Sequence, residues 1–327
     1  MLKRLAFVIV AAGLAWSGYW LWGWYSLTTA YDGWFSERRE DGWQAEYADM
    51  TIRGFPNRHD TTWTDLAITD PDSGVGWRAP FFQLFLLSYN RHHAIAIWPD
   101  RQVIVTPEGE IEVTSDSLQA SVVTSGTAHD LERANLAADV LNLTRGDSTT
   151  ALAQLRAGVQ RSAASTYDLA LAAEGLALPS GIVRATGGAL PETFQKARLQ
   201  AQVAFDAPWA LGSAESRPQP RRIDLTLAEL EWGPMALRVA GDLDIDTKGR
   251  ATGDVNLQAK NWQEMLSVAR ASGRVPDLVL DGLEATLGFM AQISGSRTSL
   301  DVTVTLDEGK MRLGPLPIGE APRLVFR

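Results

Sequence analysis

The run Ile223–Asn261, IDLTLAELEWGPMALRVAGDLDIDTKGRATGDVNLQAKN, decides the fold. In its middle third Met235, Leu237, Val239, Leu243 and Ile245 share one parity, with Gly241 among them. Arg238, Asp242, Asp244 and Asp246 share the other. Alternation with period two is the pattern of a strand with one oily and one wet face. Thr247-Lys248-Gly249 supplies a turn, after which Val255, Leu257 and Ala259 resume the pattern. The stretch predicts an antiparallel hairpin whose apolar face must meet something.

Similar runs flank it. Strands are predicted at Tyr47–Arg53, Thr61–Ile68, His93–Trp98, Gln102–Val105, Glu110–Val113, Leu118–Val123, Arg133–Leu143 and Tyr167–Leu178. Ala197–Phe205, Leu300–Leu306 and Met311–Pro322 extend the series. Trp77-Arg78-Ala79-Pro80, Pro107-Glu-Gly109, Pro179-Ser180-Gly181 and the exposed connection Arg217–Arg222 read as breaks. Three segments switch to helical spacing. They are Leu152, Leu155, Val159 and Ala163; Trp262, Met265, Leu266 and Ala269; and Leu280, Leu283, Leu287 and Met290. The predicted fold class is mainly β (α+β): an N-terminal transmembrane helix, then a large curved antiparallel β-sheet system with about three short amphipathic helices.

The N-terminus is the other informative region. Leu5–Leu27 carries no charge, and about 23 helical residues span about 34 Å, enough for a hydrocarbon core. Lys3 and Arg4 precede it and predict a cytoplasmic N-terminus. Trp20, Trp22, Trp24 and Tyr25 crowd the far end and are candidate membrane-interface residues. A cleaved signal peptide is the competing reading, but the run is long and no A-x-A pattern closes it. The resulting division is a cytoplasmic 1–4, an anchor over 5–27, a charged juxtamembrane segment over 28–46 and a periplasmic β-rich domain over 47–327. Leu118-Gln-Ala-Ser-Val122 echoes Leu199-Gln-Ala-Gln-Val203, which raises a weak duplication of 47–190 and 191–327.

Composition excludes several function classes. The chain has 327 residues, 45% hydrophobic and 21% charged, and its net charge of −9 argues against gripping nucleic acid phosphates. There is no cysteine, hence no disulfide and no thiolate chemistry. Asp242-x-Asp244-x-Asp246 matches the first ligands of a calcium loop, but Thr247 stands at position six and Gly253 at position twelve. His59, His92, His93 and His129 read as surface or loop residues, and adjacent His92 and His93 point to opposite faces of a strand. Gly187-Gly188 lacks the further glycines of a phosphate loop, and Asn142-Leu-Thr144 fits a glycosylation acceptor. No nucleophile motif is present, so no catalytic residue, metal ligand or cofactor is assigned, and the expectation is a non-enzyme.

What remains is the apolar stripe. Met235, Leu237, Val239, Leu243, Ile245, Val255, Leu257, Val302 and Val304 are the candidate lining of an apolar groove.

Several short motifs, in order, give the chain a family likeness. They are Gly42-Trp43, Gly54-Phe55-Pro56-x-Arg58, Trp77-x-Ala79-Pro80, Leu118-Gln-Ala120, Trp232-Gly-Pro234 and Gly314-Pro-Leu-Pro-Ile318. With the anchor, they resemble the bacterial envelope proteins of domain of unknown function 2125, a family similar to the AsmA-like group. The resemblance implies a curved sheet with an apolar inner face, and a role near outer-membrane assembly or lipid traffic. At this length the chain is too short to bridge two membranes alone. The expected function is therefore a non-enzymatic, inner-membrane-anchored periplasmic protein that binds phospholipid or another apolar envelope component. The alternative is a scaffold with a sealed core that docks an envelope protein.

Overall fold

A computed structural model describes residues 1–177, 191–211, 217–271, 277–293, 298–314 and 316–326. The expected break at Pro179-Ser180-Gly181, and the pair Gly187-Gly188 rejected as a phosphate loop, lie outside these residues. The chain begins with a long apolar helix and continues as antiparallel β-sheet. It forms two compact units, Met1–Thr124 with Leu143–Gly146, and Ser125–Asn142 with Asp147–Arg327.

In the first unit α1 runs over Leu2–Glu40. It takes in the uncharged run and most of the charged segment after it, because nothing between Leu27 and Glu40 breaks a helix. Arg38 and Arg39 in the last turn oppose the helix dipole, and Gly42 at φ +86 turns the chain out. The strands are β1 Gln44–Glu46, β2 Asp49–Arg53, β3 Arg58–Thr69, β4 Gly76–Leu87, β5 Asn90–Ile97, β6 Arg101–Thr106, β7 Gly109–Asp116 and β8 Gln119–Ser125. β1 and β2 pair along one edge of β3, and β4 along the other. Phe35 of α1 is buried with Ala45, Trp63 and Leu66.

Trp77-Arg78-Ala79-Pro80 does not interrupt the chain as the sequence suggests; β4 runs straight through it. β4 pairs with β6 over Gly76–Arg78 and with β5 over Gln83–Leu87. Pro80, which has no N–H to donate, falls between the two ladders.

The second unit holds β9 Asp130–Arg145 up to Asn142, β10 Ser148–Ala163, β11 Thr166–Ala177, β12 Thr193–Phe194, β13 Lys196–Phe205, β14 Pro220–Trp232, β15 Met235–Ile245 and β16 Ala251–Lys260. Then come α2 Trp262–Ala271, α3 Asp277–Ile293, β17 Ser299–Asp307, β18 Lys310–Leu313 and β19 Leu316–Glu320. From β13 to β19 each strand pairs antiparallel with the next. The predicted final strand is two, divided at Gly314. Pro220–Arg222, read as a connection, already belongs to β14, with Pro220 at the strand's first position.

One predicted helix is a strand. Residues 150–163 lie in β10, whose register slips on either side of Ala153, with Gln154 at φ +51. A bulge adds one residue and reverses the alternation. The odd step from Leu152 to Leu155 is thereby absorbed and the step of four to Val159 is even, while a further slip between Arg161 and Ala163 takes Ala163 out of the pattern and leaves it exposed. Spacings of three and four are then compatible with a bulged strand as well as with a helix.

The central hairpin matches its sequence pattern. Arg238, Asp242, Asp244, Asp254, Asn256 and Gln258 are exposed, and the intervening side chains are covered or half-covered. Gly253, at φ +147, lies so close to β15 that an added Cβ would collide with the Asp242 carbonyl. Gly253→Ala is expected to cost about 2 kcal/mol, read as a lowered thermal midpoint of the second unit.

Candidate apolar binding face

Pairing registers carry the oily face of the hairpin across six strands. Leu171, Leu199, Ala228, Val239, Leu257 and Val302 form one transverse row from β11 to β17. Leu169, Ala201, Leu225, Gly241, Val255 and Val304 form the next. Five inter-strand spacings make each row about 24 Å long. Of these twelve positions only Val302 is buried; Leu171 and Leu199 are 38% and 37% exposed.

Both ends of the face are covered. At one end, Trp262 and Leu266 of α2 and Leu287 and Ala291 of α3 pack on Ala259, Leu300 and Val302. Met265 and Val268 of α2 pack on Phe194, Trp232 and Met235. Arg270 joins α2 to α3 through Asp281 at 2.7 Å and Glu284 at 3.2 Å. At the other end Tyr167, Val203 and Phe205 are buried with Trp209, while Phe326 stacks on Phe205 with ring centroids 6.1 Å apart. The Tyr167 hydroxyl accepts from the Trp209 N–H at 3.0 Å.

Under the edge of α2 the face opens into a cavity of about 250 Å3 lined by Phe194, Leu230, Trp232, Met235, Leu237, Met265 and Val268, all of them apolar. The Trp232 indole N–H is committed to the Pro191 carbonyl at 2.8 Å, which leaves the ring as an apolar wall.

The nine candidate lining residues therefore divide. Leu237, Val239, Leu243, Val255, Leu257 and Val304 lie on the half-exposed face. Met235, Ile245 and Val302, at 4%, 5% and 8% exposure, are core, because the elements at each end cover them. Sequence reading missed Leu171, Leu199 and Leu230 as parts of the same face. Counting outward from the Trp232-Gly-Pro-Met235 turn would have found Leu230, which pairs with Leu237.

The polar candidates are used structurally. Asp242 and Asp244 face Arg222 at 3.4 and 3.2 Å. Asp246 closes the following turn. The Arg250 backbone N–H, then its guanidinium and the Lys248 N–H, hold its carboxyl down at about 2. No group of three or more His, Cys, Asp or Glu side chains placed for a metal occurs among the described residues.

In the first unit, His59 is fully buried rather than at the surface. Its ring stacks on Trp20 at 5.1 Å, and its Nε2 lies 3.1 Å from the Trp20 carbonyl. Trp20 is itself only 8% exposed, so its ring meets protein rather than a membrane interface. The cause is the packing of α1 on the start of β3. Trp22, Trp24 and Tyr25 remain 59%, 40% and 66% exposed.

These features define a class of protein: one N-terminal helix long and apolar enough to cross a membrane, then antiparallel β-sheet with a half-exposed apolar face. The chain belongs to the family described as uncharacterized protein conserved in bacteria, DUF2125, whose match covers residues 20–322. No curated protein and no solved structure matches it.

Proposed function

We propose that this protein is a membrane-anchored, non-enzymatic envelope protein whose second unit holds lipid acyl chains on its apolar sheet face. The observation that carries the reading is the pair of transverse rows, apolar across six strands and left half-exposed between covered ends. About ten methylenes laid along such a face would gain roughly 8 kcal/mol before ordering costs. A sealed-core scaffold would have those rows covered.

On this reading α1 is retained as an anchor rather than removed as a signal sequence. Trp20, Gly23 and Phe35 are buried, so removal of the helix would uncover part of the first unit's interior. Lys3 and Arg4 then keep the N-terminus cytoplasmic in the bacterial inner membrane, with the β units in the periplasm. We further propose that the family is related to the AsmA-like group, a relation that would agree with a lipid-related role.

Photo-crosslinking tests this directly. The full chain is reconstituted with a phospholipid bearing a diazirine in its acyl chain, irradiated, digested and mapped by mass spectrometry. Adducts are expected in peptides of β13–β17 as well as in α1, and Val239→Glu should remove most of those in the sheet. Adducts confined to α1 would sink the reading.

A further inference from the structure

α1 is free of the sheet only over its first part. Residues 1–16 are all exposed, and the first side-chain hydrogen bond from α1 to the sheet comes from Trp16. From Leu5, where the uncharged run begins, to Trp16 is only about 16 Å of helix, against a hydrocarbon core of about 30 Å. A core starting at Leu5 would reach to about Tyr25. The sheet's first contacts with α1 therefore fall inside the thickness of the membrane, not beyond it.

Two turns make those contacts: Gly54–Arg58 between β2 and β3, and Ser88–Asn90 at the β4–β5 hairpin. Three of their carbonyls are answered from α1 by aromatic donors. The Trp16 indole donates to the Pro56 carbonyl at 3.0 Å, the Trp20 indole to that of Arg58 at 2.7 Å, and the Tyr19 hydroxyl to that of Ser88 at 2.8 Å. The Arg58 N–H donates to the Gly54 carbonyl and the Ser88 N–H to that of Asn57, both at 2.9 Å. Pro56 has no N–H. In hydrocarbon, irregular backbone is tolerated only where its polar groups are paired within the protein.

Each turn presents one large aromatic side chain outward, beside the exposed polar groups of Asn57, Arg58 and Asn90, a mixture suited to the boundary between acyl chains and headgroups. Phe55 is 56% exposed and packs edge-on to Trp20 at 5.5 Å, and Tyr89 is 65% exposed. Just beyond them the Arg91 guanidinium lies 5.0 Å over the Trp22 ring, with its Nε and Nη2 buried against α1 near Gly23.

We propose that Gly54–Arg58 and Ser88–Asn90 are inserted into the leaflet at the far end of α1, so that three chain segments, not one, hold the first unit in the bilayer. Trp20 lies about 8 Å along the helix from Tyr25, which places Phe55 at the depth reached by interfacial amphipathic segments. The partner is the phospholipid surrounding α1. The inference rests on α1 being a retained anchor.

The chain lacks cysteine, so single labels can be introduced without background. Nitroxides are placed on Phe55→Cys and Tyr89→Cys, with Leu14→Cys in α1 and Asp72→Cys in the β3–β4 turn as controls. Each full-length variant is reconstituted in phosphatidylethanolamine–phosphatidylglycerol vesicles. Collision rates with oxygen, which partitions into lipid, and with a water-soluble nickel chelate are then compared. The expected oxygen-to-nickel ratio is several-fold higher at positions 14, 55 and 89 than at 72. Lipid-like values at 14 with water-like values at both 55 and 89 would overturn the inference and leave the anchor intact. Water-like values at 14 would overturn both. The two turns are separate, so a folding defect in one variant does not silence the other.

Discussion

Trp20→Ala is expected to destabilise the first unit by about 4 kcal/mol, the range for removing a buried tryptophan. The ring is enclosed between His59, stacked at an interplanar angle of 11°, and Phe55, edge-on at 89°. Its loss leaves a cavity beside a fully buried imidazole and strips the Arg58 carbonyl of the indole donor at 2.7 Å. Trp20→Phe should cost less, about 2 kcal/mol, because most of the volume stays and only the donor goes. Gly23 adds an independent check, since a Cβ there would lie 2.7 Å from His59 Nε2 and 2.9 Å from Arg91. Gly23→Val should therefore lift α1 away from β3. Denaturant unfolding of the reconstituted chain, followed by protease access to the α1–β1 connection, reads all three. A loss under about 1 kcal/mol for Trp20→Ala would mean that the ring faces lipid instead of the sheet.

Glu229→Gln is expected to cost about 3 kcal/mol, in the second unit. The carboxylate is 5% exposed and is gripped from both neighbouring strands, by Lys196 Nζ at 2.6 Å and Arg238 Nε at 2.8 Å. Removing its charge leaves two cations facing a neutral amide, which can accept one of the hydrogen bonds but cannot offset the charge. Lys196 and then Arg238 hold the Glu229 carboxyl below its ordinary 4.5. The folded-state value is depressed, so this stabilisation is complete above the unfolded glutamate range and is lost as pH falls through the folded value. The difference in thermal midpoint between wild type and variant should thus be constant near neutrality and shrink below pH 4.5. A difference that grows on acidification would show that another carboxylate carries the effect.

Both sites illustrate what the sequence leaves open. Period-two alternation over Met235–Ile245 and Val255–Ala259 is a local property, because side chains on a strand point alternately whatever lies across from them. The positions of these two strands, their hairpin order and the inward parity of Leu237, Val239 and Leu257 were legible for that reason. So was α1, since an uncharged run of that length has few other stable conformations. Bulges were not legible: Gln154 in β10 and the slip between Leu225 and Ala228 in β14 each shift the phase by one residue. The first makes a strand imitate a helix. The second sets Leu227 opposite Gln200 rather than among the apolar rows.

The sequence by itself determined the strands of the central hairpin, their wet and oily parities and the long apolar helix, all consequences of spacing along one segment, but not β4 or β10. Only the tertiary structure decided which apolar residues are core and which are left open, because burial depends on what arrives from elsewhere in the chain. α2 and α3 cover Met235 and Val302 but stop short of Val239 and Val255. α1, by packing on the start of β3, turns the expected interface residue Trp20 and the expected surface residue His59 into a buried stack.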